Sequence, residues 1–108
     1  MGHYLRIIKD HEGCKIRLTK ERLDHILEHP EMAGMFDAIA ETLGLPETIT
    51  KSLTDPDARL YYRYYKSTLV GDKYLCVVVK QHLKDDAFVL TAYLTDKVKR
   101  GEVSWPRK

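Results

Sequence analysis

Residues 59 to 65 run Arg59-Leu60-Tyr61-Tyr62-Arg63-Tyr64-Tyr65, which puts four tyrosines and two arginines into seven positions. Their β-propensity predicts a strand, and side chains of a strand alternate between its two faces. Leu60, Tyr62 and Tyr64 then share one face; Arg59, Tyr61, Arg63 and Tyr65 share the other. Cations interleaved with aromatics suit a nucleic-acid strand, because arginine takes a phosphate in a forked hydrogen bond and tyrosine stacks on a base. The plainer alternative is an amphipathic strand that uses Tyr and Arg on a wet face.

Two later runs extend the pattern. In 73–81, Leu75, Val77 and Val79 alternate with Cys76, Val78 and Lys80; in 86–94, Phe88, Leu90 and Ala92 alternate with Val89, Thr91 and Tyr93. With the apolar sets turned inward, the open face gathers Arg59, Tyr61, Arg63, Lys80, Thr91 and Tyr93. A one-residue bulge would invert part of this arrangement. Metal-free RNA cleavage needs a base for the 2′-hydroxyl proton, cations for the phosphate and an acid for the leaving oxygen. Arg59, Arg63 and Lys80 could supply the cations, and Thr91 and Tyr93 could donate to phosphate oxygens. No carboxylate falls on this face, so the base is sought among the histidines, whose pKa lies near neutrality.

His25 and His29 stand four apart and share one side of a helix, off the Leu23/Ile26/Leu27 stripe. Three readings stay open: two solvent-exposed or edge histidines, one catalytic or phosphate-binding histidine, or a metal pair, for which no third ligand is evident nearby. His82 ends a strand near Lys80, and His3 and His11 carry no special signal. Cys14 and Cys76 lack metal-site spacing and read as reduced cytosolic thiols. No Gly-rich phosphate loop and no Ser/His/Asp arrangement can be drawn, so neither cofactor nor metal is expected.

The run from Leu18 to Glu31, with its His-x-x-x-His-Pro-Glu, and the segment Phe88-Val89-Leu90-Thr91-Ala92-Tyr93 resemble the phage-associated branch of the barnase–EndoU–colicin–RelE-like (BECR) nucleases. The resemblance spans roughly residues 14 to 105. It implies a metal-independent ribonuclease, often a toxin, acting on RNA; a toxin whose open face is covered by an antitoxin or immunity protein is a further reading. By position it nominates His25 or His29, an arginine of the 59–63 strand, and Thr91. A non-catalytic RNA- or protein-binding module on the same fold is the alternative.

The elements that must position these residues follow from periodicity. Residues 3–9 and 14–18 predict a hairpin around Asp10-His11-Glu12-Gly13. Thr19 is an N-cap for a helix through Glu28. Pro30 starts a second helix with the stripe Met32, Met35, Phe36, Ile39, Ala40 and Leu43, ended by Gly44 and Pro46. Strands are expected at 47–53, 59–66, 73–81 and 86–94, parted by Asp55-Pro56-Asp57, Gly71-Asp72 and Lys84-Asp85-Asp86. The expected fold class is α+β, RelE/BECR-like: a hairpin, then two helices packed on one face of a four-stranded antiparallel meander. One domain is expected over 1–108, with a basic tail from 97 to 108 that Trp105 ties down. The apolar fraction of 44%, the charged fraction of 31% and the net charge of +2 are those of a globular protein. Charged residues in the first fifteen, and no apolar run of membrane length, predict a cytoplasmic protein without a secretory signal or a membrane span.

Overall fold

The computed structural model describes residues 5 to 83 and 86 to 106. His3, Lys84, Asp85, Arg107, Lys108 and the side chain of His82 lie outside that description. The elements in chain order are strands β1 (Leu5–Lys9) and β2 (Lys15–Thr19), helix α1 (Lys20–Leu27), a 3₁₀ turn (Pro30–Met32) and helix α2 (Phe36–Gly44). Strands β3 (Thr48–Lys51), β4 (Ala58–Thr68), β5 (Gly71–Leu83), β6 (Asp86–Thr95) and β7 (Val103–Trp105) follow.

The expected four-stranded antiparallel meander is overturned. The sheet has seven strands in the order β1-β2-β6-β5-β4-β3-β7, and it is mixed, because β2 runs parallel to β6. The four runs read as strands form β3 to β6 at its centre. The N-terminal hairpin adds to the β6 edge, and the C-terminal segment adds to the β3 edge. Unpaired strand edges carry rows of unsatisfied backbone groups, and both additions cover such an edge.

The second expected helix is also split. Pro30–Met32 makes one 3₁₀ turn, and Gly34 then takes φ 76°, a left-handed conformation that a helix cannot contain. α2 therefore starts only at Phe36. α1 begins as predicted: the Thr19 hydroxyl accepts from the Arg22 amide at 3.1 Å.

Both helices lie on one face of the sheet. Ile26, Met32, Ile39 and Leu43 pack with Ile16, Leu18, Ile49, Tyr61, Leu75, Val77, Val79, Val89 and Ala92 in one buried cluster. The opposite face holds a smaller cluster of Leu60, Tyr62 and Cys76, flanked by Tyr74, Val78, Tyr93 and Val98. Among the described residues no helix is long and apolar enough to cross a membrane.

Candidate functional site

The residues nominated from the sequence divide between the two faces. Cross-strand partners point the same way, and Arg59, Tyr61 and Arg63 face Val79, Val77 and Leu75. All three therefore lie on the helix-covered side. Lys80, Thr91 and Tyr93 lie on the other, opposite Phe88, Val78 and Cys76 respectively. The alternation within β5 was legible; the register of β4 against it was not. In β6 a bulge completes the inversion. Val78 pairs with Thr91 but Val79 pairs with Val89, so Leu90 is an extra residue. Val89 turns into the core and Phe88 turns outward.

On the helix side the nominated groups are bonded to the protein. Arg59 donates to the Gln81 side-chain oxygen at 2.7 Å, and its guanidinium stands 5.8 Å from the Tyr61 ring centre. Arg63 donates to the Leu45 carbonyl at 2.7 Å, just past the C-terminus of α2, and lies 3.5 Å from the Glu41 carboxylate. Tyr61 is fully buried and donates to Asp10 at 2.9 Å. The same carboxylate accepts from the amides of Glu12 and Cys14, both at 2.9 Å. The His11 ring packs 4.5 Å from Trp105 and 6.2 Å from Tyr61. The β1–β2 turn therefore meets β4 and β7 across α2's end of the core. Sequence reasoning passed over Asp10 and His11 because Asp-His-Glu-Gly is ordinary turn chemistry.

On the open face Lys80 is paired with Asp55 at 3.0 Å. The Tyr93 ring lies 5.3 Å from the Lys99 ammonium. His25 is exposed on α1, 3.7 Å from Glu28, and His29 is exposed in the residue preceding the 3₁₀ turn.

Another arrangement emerges at the seam between β2 and β6. Their parallel pairing lasts for two residue pairs, Ile16 with Ala87 and Arg17 with Phe88. Beyond it β2 ends and α1 begins, leaving a groove of about 260 Å³ lined by Arg17, Thr19, Glu21, Arg22, Phe88 and Val89. A second groove of about 250 Å³ shares Glu21 and Arg22 and adds His25. The Arg17 guanidinium stands 5.6 Å from the Phe88 ring centre and is paired with Asp86. Between them, two grooves that meet at Glu21 and Arg22 carry two cations, an aromatic ring, a carboxylate and an imidazole. Glu21 is the carboxylate that no sheet-face pattern could offer, since it comes from the helix. Its only sequence signal is its spacing of four from His25, which puts both on one side of α1. Among the described residues no group of three or more His, Cys, Asp or Glu could hold a metal ion.

Burial of the tyrosines makes a measurable demand. Desolvation pushes the Tyr62 and Tyr65 phenols up to about 12, against an ordinary 10.0. It pushes Tyr61 and Tyr93 higher still. Unfolded, all four ionise near 10; folded, they stay neutral there. A group whose folded pKa is raised adds stability that is whole below its unfolded pKa and is lost as pH rises toward the folded one. The urea midpoint is therefore expected to fall steadily between pH 10 and pH 12. Midpoints that stay level across that interval would contradict the burial described.

Compared with protein-family models, with curated proteins and with solved structures, the chain gives no match.

Proposed function

We propose that the chain is a small cytoplasmic RNA-cleaving domain of toxin or phage type, working without a metal at the β2–β6 seam. The observation that carries this reading is the composition of the groove: Arg17 and Arg22 beside Phe88, with Glu21 and His25 on the adjoining helix face. Arginine suits a phosphodiester oxygen, and the half-buried Phe88 ring offers a base a stacking surface. A carboxylate and an imidazole are the two proton-carrying groups that transfer to and from the 2′- and 5′-oxygens requires. His25 stays within this proposal; Thr91, on β6 three residues beyond Phe88, lines neither groove and leaves it. Arg59, Tyr61 and Arg63 leave it, because they hold the helix side together.

One observation favours a second reading, a non-catalytic module that binds RNA or an inhibitor-like protein. Arg17 is already paired with Asp86 and Lys80 with Asp55, which neutralises cations that a cleaving site would turn toward phosphate.

The test is a salt titration of single-stranded RNA binding. Each phosphate neutralised contributes roughly −0.7 to the log–log slope for a single strand. Arg17 and Arg22 together should give a slope of about −1.4, and Arg17→Ala or Arg22→Ala should each reduce it by about 0.7. Arg59→Ala should leave it unchanged. A flat response, or a slope that Arg59→Ala alone lowers, would remove the seam from the proposal.

A further inference from the structure

Three buried side-chain polar atoms have no hydrogen-bond partner among the described residues: His11 Nδ1, Thr50 Oγ1 and the Tyr93 hydroxyl. They come from a turn, from β3 and from β6, and they share one neighbour. The segment from Asp96 to Trp105 lies over all three.

Its course can be followed residue by residue. After β6 ends at Thr95 the chain crosses the open face. Val98 packs on the Leu60/Tyr62/Cys76 cluster. The Lys99 amide donates to the Tyr62 hydroxyl at 3.1 Å, and the Lys99 ammonium stands over Tyr93. Gly101 then passes against β3 so closely that a Cβ there would lie 2.5 Å from the Lys51 carbonyl oxygen and 3.4 Å from Thr50 Cβ. The Lys51 amide donates to Glu102 at 2.9 Å. β7 pairs with β3 through Ile49–Trp105 and Thr50–Val103 alone, with a register shift between them. The segment ends with Trp105 against His11 and its indole N–H on the Pro46 carbonyl at 3.3 Å.

Buried polar groups in folded proteins are nearly all paired, and each orphan carries the desolvation penalty of an unmade bond. The Tyr93 hydroxyl lies beside the Cys76 thiol without forming a hydrogen bond of normal geometry to it. If the segment lifts, water reaches Thr50, Tyr93 and His11 together, and the seven-stranded sheet loses only its shortest strand. A stretch held by few backbone bonds opens at lower cost than its surroundings, and unpaired polar atoms beneath it lower that cost further.

We infer that residues 96 to 106 form a detachable strap, anchored by Trp105 against His11, that opens as a unit while the rest of the domain stays folded and so uncovers the Tyr62–Cys76–Tyr93 face. Cys76 reports the opening, since it is fully buried beneath Val98.

The experiment follows Cys76 labelling by a thiol reagent in the full chain carrying Cys14→Ser, because Cys14 is exposed. Local opening exposes little surface, so labelling should be nearly independent of urea at low concentrations and should join the steep global line only near the midpoint. Labelling that follows the full unfolding slope from zero urea would overturn the strap. Two substitutions remote from the thiol should act in opposite directions. Gly101→Ala sets a methyl against the Lys51 carbonyl and should speed labelling about tenfold or more. Thr50→Val removes an orphaned hydroxyl with little change of shape and should slow it about fivefold. A rate that Thr50→Val leaves unchanged or raises would overturn the inference, and that arm stands even if Gly101→Ala does not fold.

Discussion

Asp10→Ala is expected to lower the stability of the domain by about 3–5 kcal/mol, a large effect for a residue in a four-residue turn. The Asp10 side chain is fully buried, and its two oxygens accept three hydrogen bonds. Two come from amides of its own turn, which shape the reversal from β1 into β2. The third comes from Tyr61, fifty-one positions away in β4. Alanine removes all three acceptors. It leaves the Tyr61 hydroxyl in the core without a partner, and an unmade buried bond costs about 1–3 kcal/mol on its own. The turn then loses its internal bonds as well, together with its hold on His11 and, through His11, on Trp105. Tyr61→Phe should cost less, about 1–3 kcal/mol, since the carboxylate keeps its two amide donors. The two substitutions share one bond, so their effects should fall short of adding. Urea midpoints of the two single variants and the double variant decide the matter. An Asp10→Ala chain within about 0.5 kcal/mol of the parent would mean the turn is not held from β4.

That contact marks where the sequence stopped being legible. Periodicity within an element could be read. The Leu75/Val77/Val79 face and the Thr19 cap each depend on neighbours a few residues apart, and each lies where its pattern put it; Ile39 and Leu43 of the second stripe also reach the core, though the helix expected to carry the whole stripe is broken at Gly34. Relations between elements could not be read. The face of β4 depends on its register against β5, and Leu60/Tyr62/Tyr64 is as apolar as Arg59/Tyr61/Arg63/Tyr65 is amphipathic. The pattern chose the first set for the core, yet the structure buries Tyr61 under the helices and seats Arg63 against α2's C-terminus. The β6 bulge at Leu90 adds one residue without any Gly or Pro to announce it. Parallel pairing of β2 with β6 joins segments about seventy residues apart, and nothing local encodes that. The candidate site followed the same rule. His25 was visible as a histidine on a helix beside Glu21 and Arg22, but the neighbouring groove that shares those two residues takes Arg17 and Phe88 from β2 and β6.

Cleavage of single-stranded RNA by the purified chain is expected in the presence of a strong chelator, with DNA spared. Removal of the 2′-hydroxyl proton lets that oxygen attack phosphorus; the bond to the 5′-oxygen breaks, and that oxygen takes a proton as it leaves. The products are a 2′,3′-cyclic phosphate and a 5′-hydroxyl, which DNA cannot give because it lacks the nucleophile. In the proposed site the Glu21 carboxylate receives the first proton and the His25 imidazolium supplies the second, while Arg17 and Arg22 offset the growing charge on phosphate. Glu21→Gln and His25→Ala should each slow RNA cleavage by about 10²–10⁴-fold, the usual worth of a positioned proton carrier. A ribonucleoside 3′-aryl phosphate separates the two roles, because a phenolate leaves without needing a proton. On that substrate His25→Ala should recover most of the parent rate and Glu21→Gln should not. His29 lies beyond the end of α1 and outside both grooves, and Arg59 is bound to Gln81, also outside both. Alanine at either position should leave the rate within a few-fold of the parent. If Glu21→Gln and His25→Ala cleave as fast as the parent while Arg59→Ala is inert, the chemistry belongs to the helix side and the seam is a bystander. If folded parent protein cleaves no RNA yet binds it with the salt slope expected of two arginines, the groove is the reading surface of a binding module.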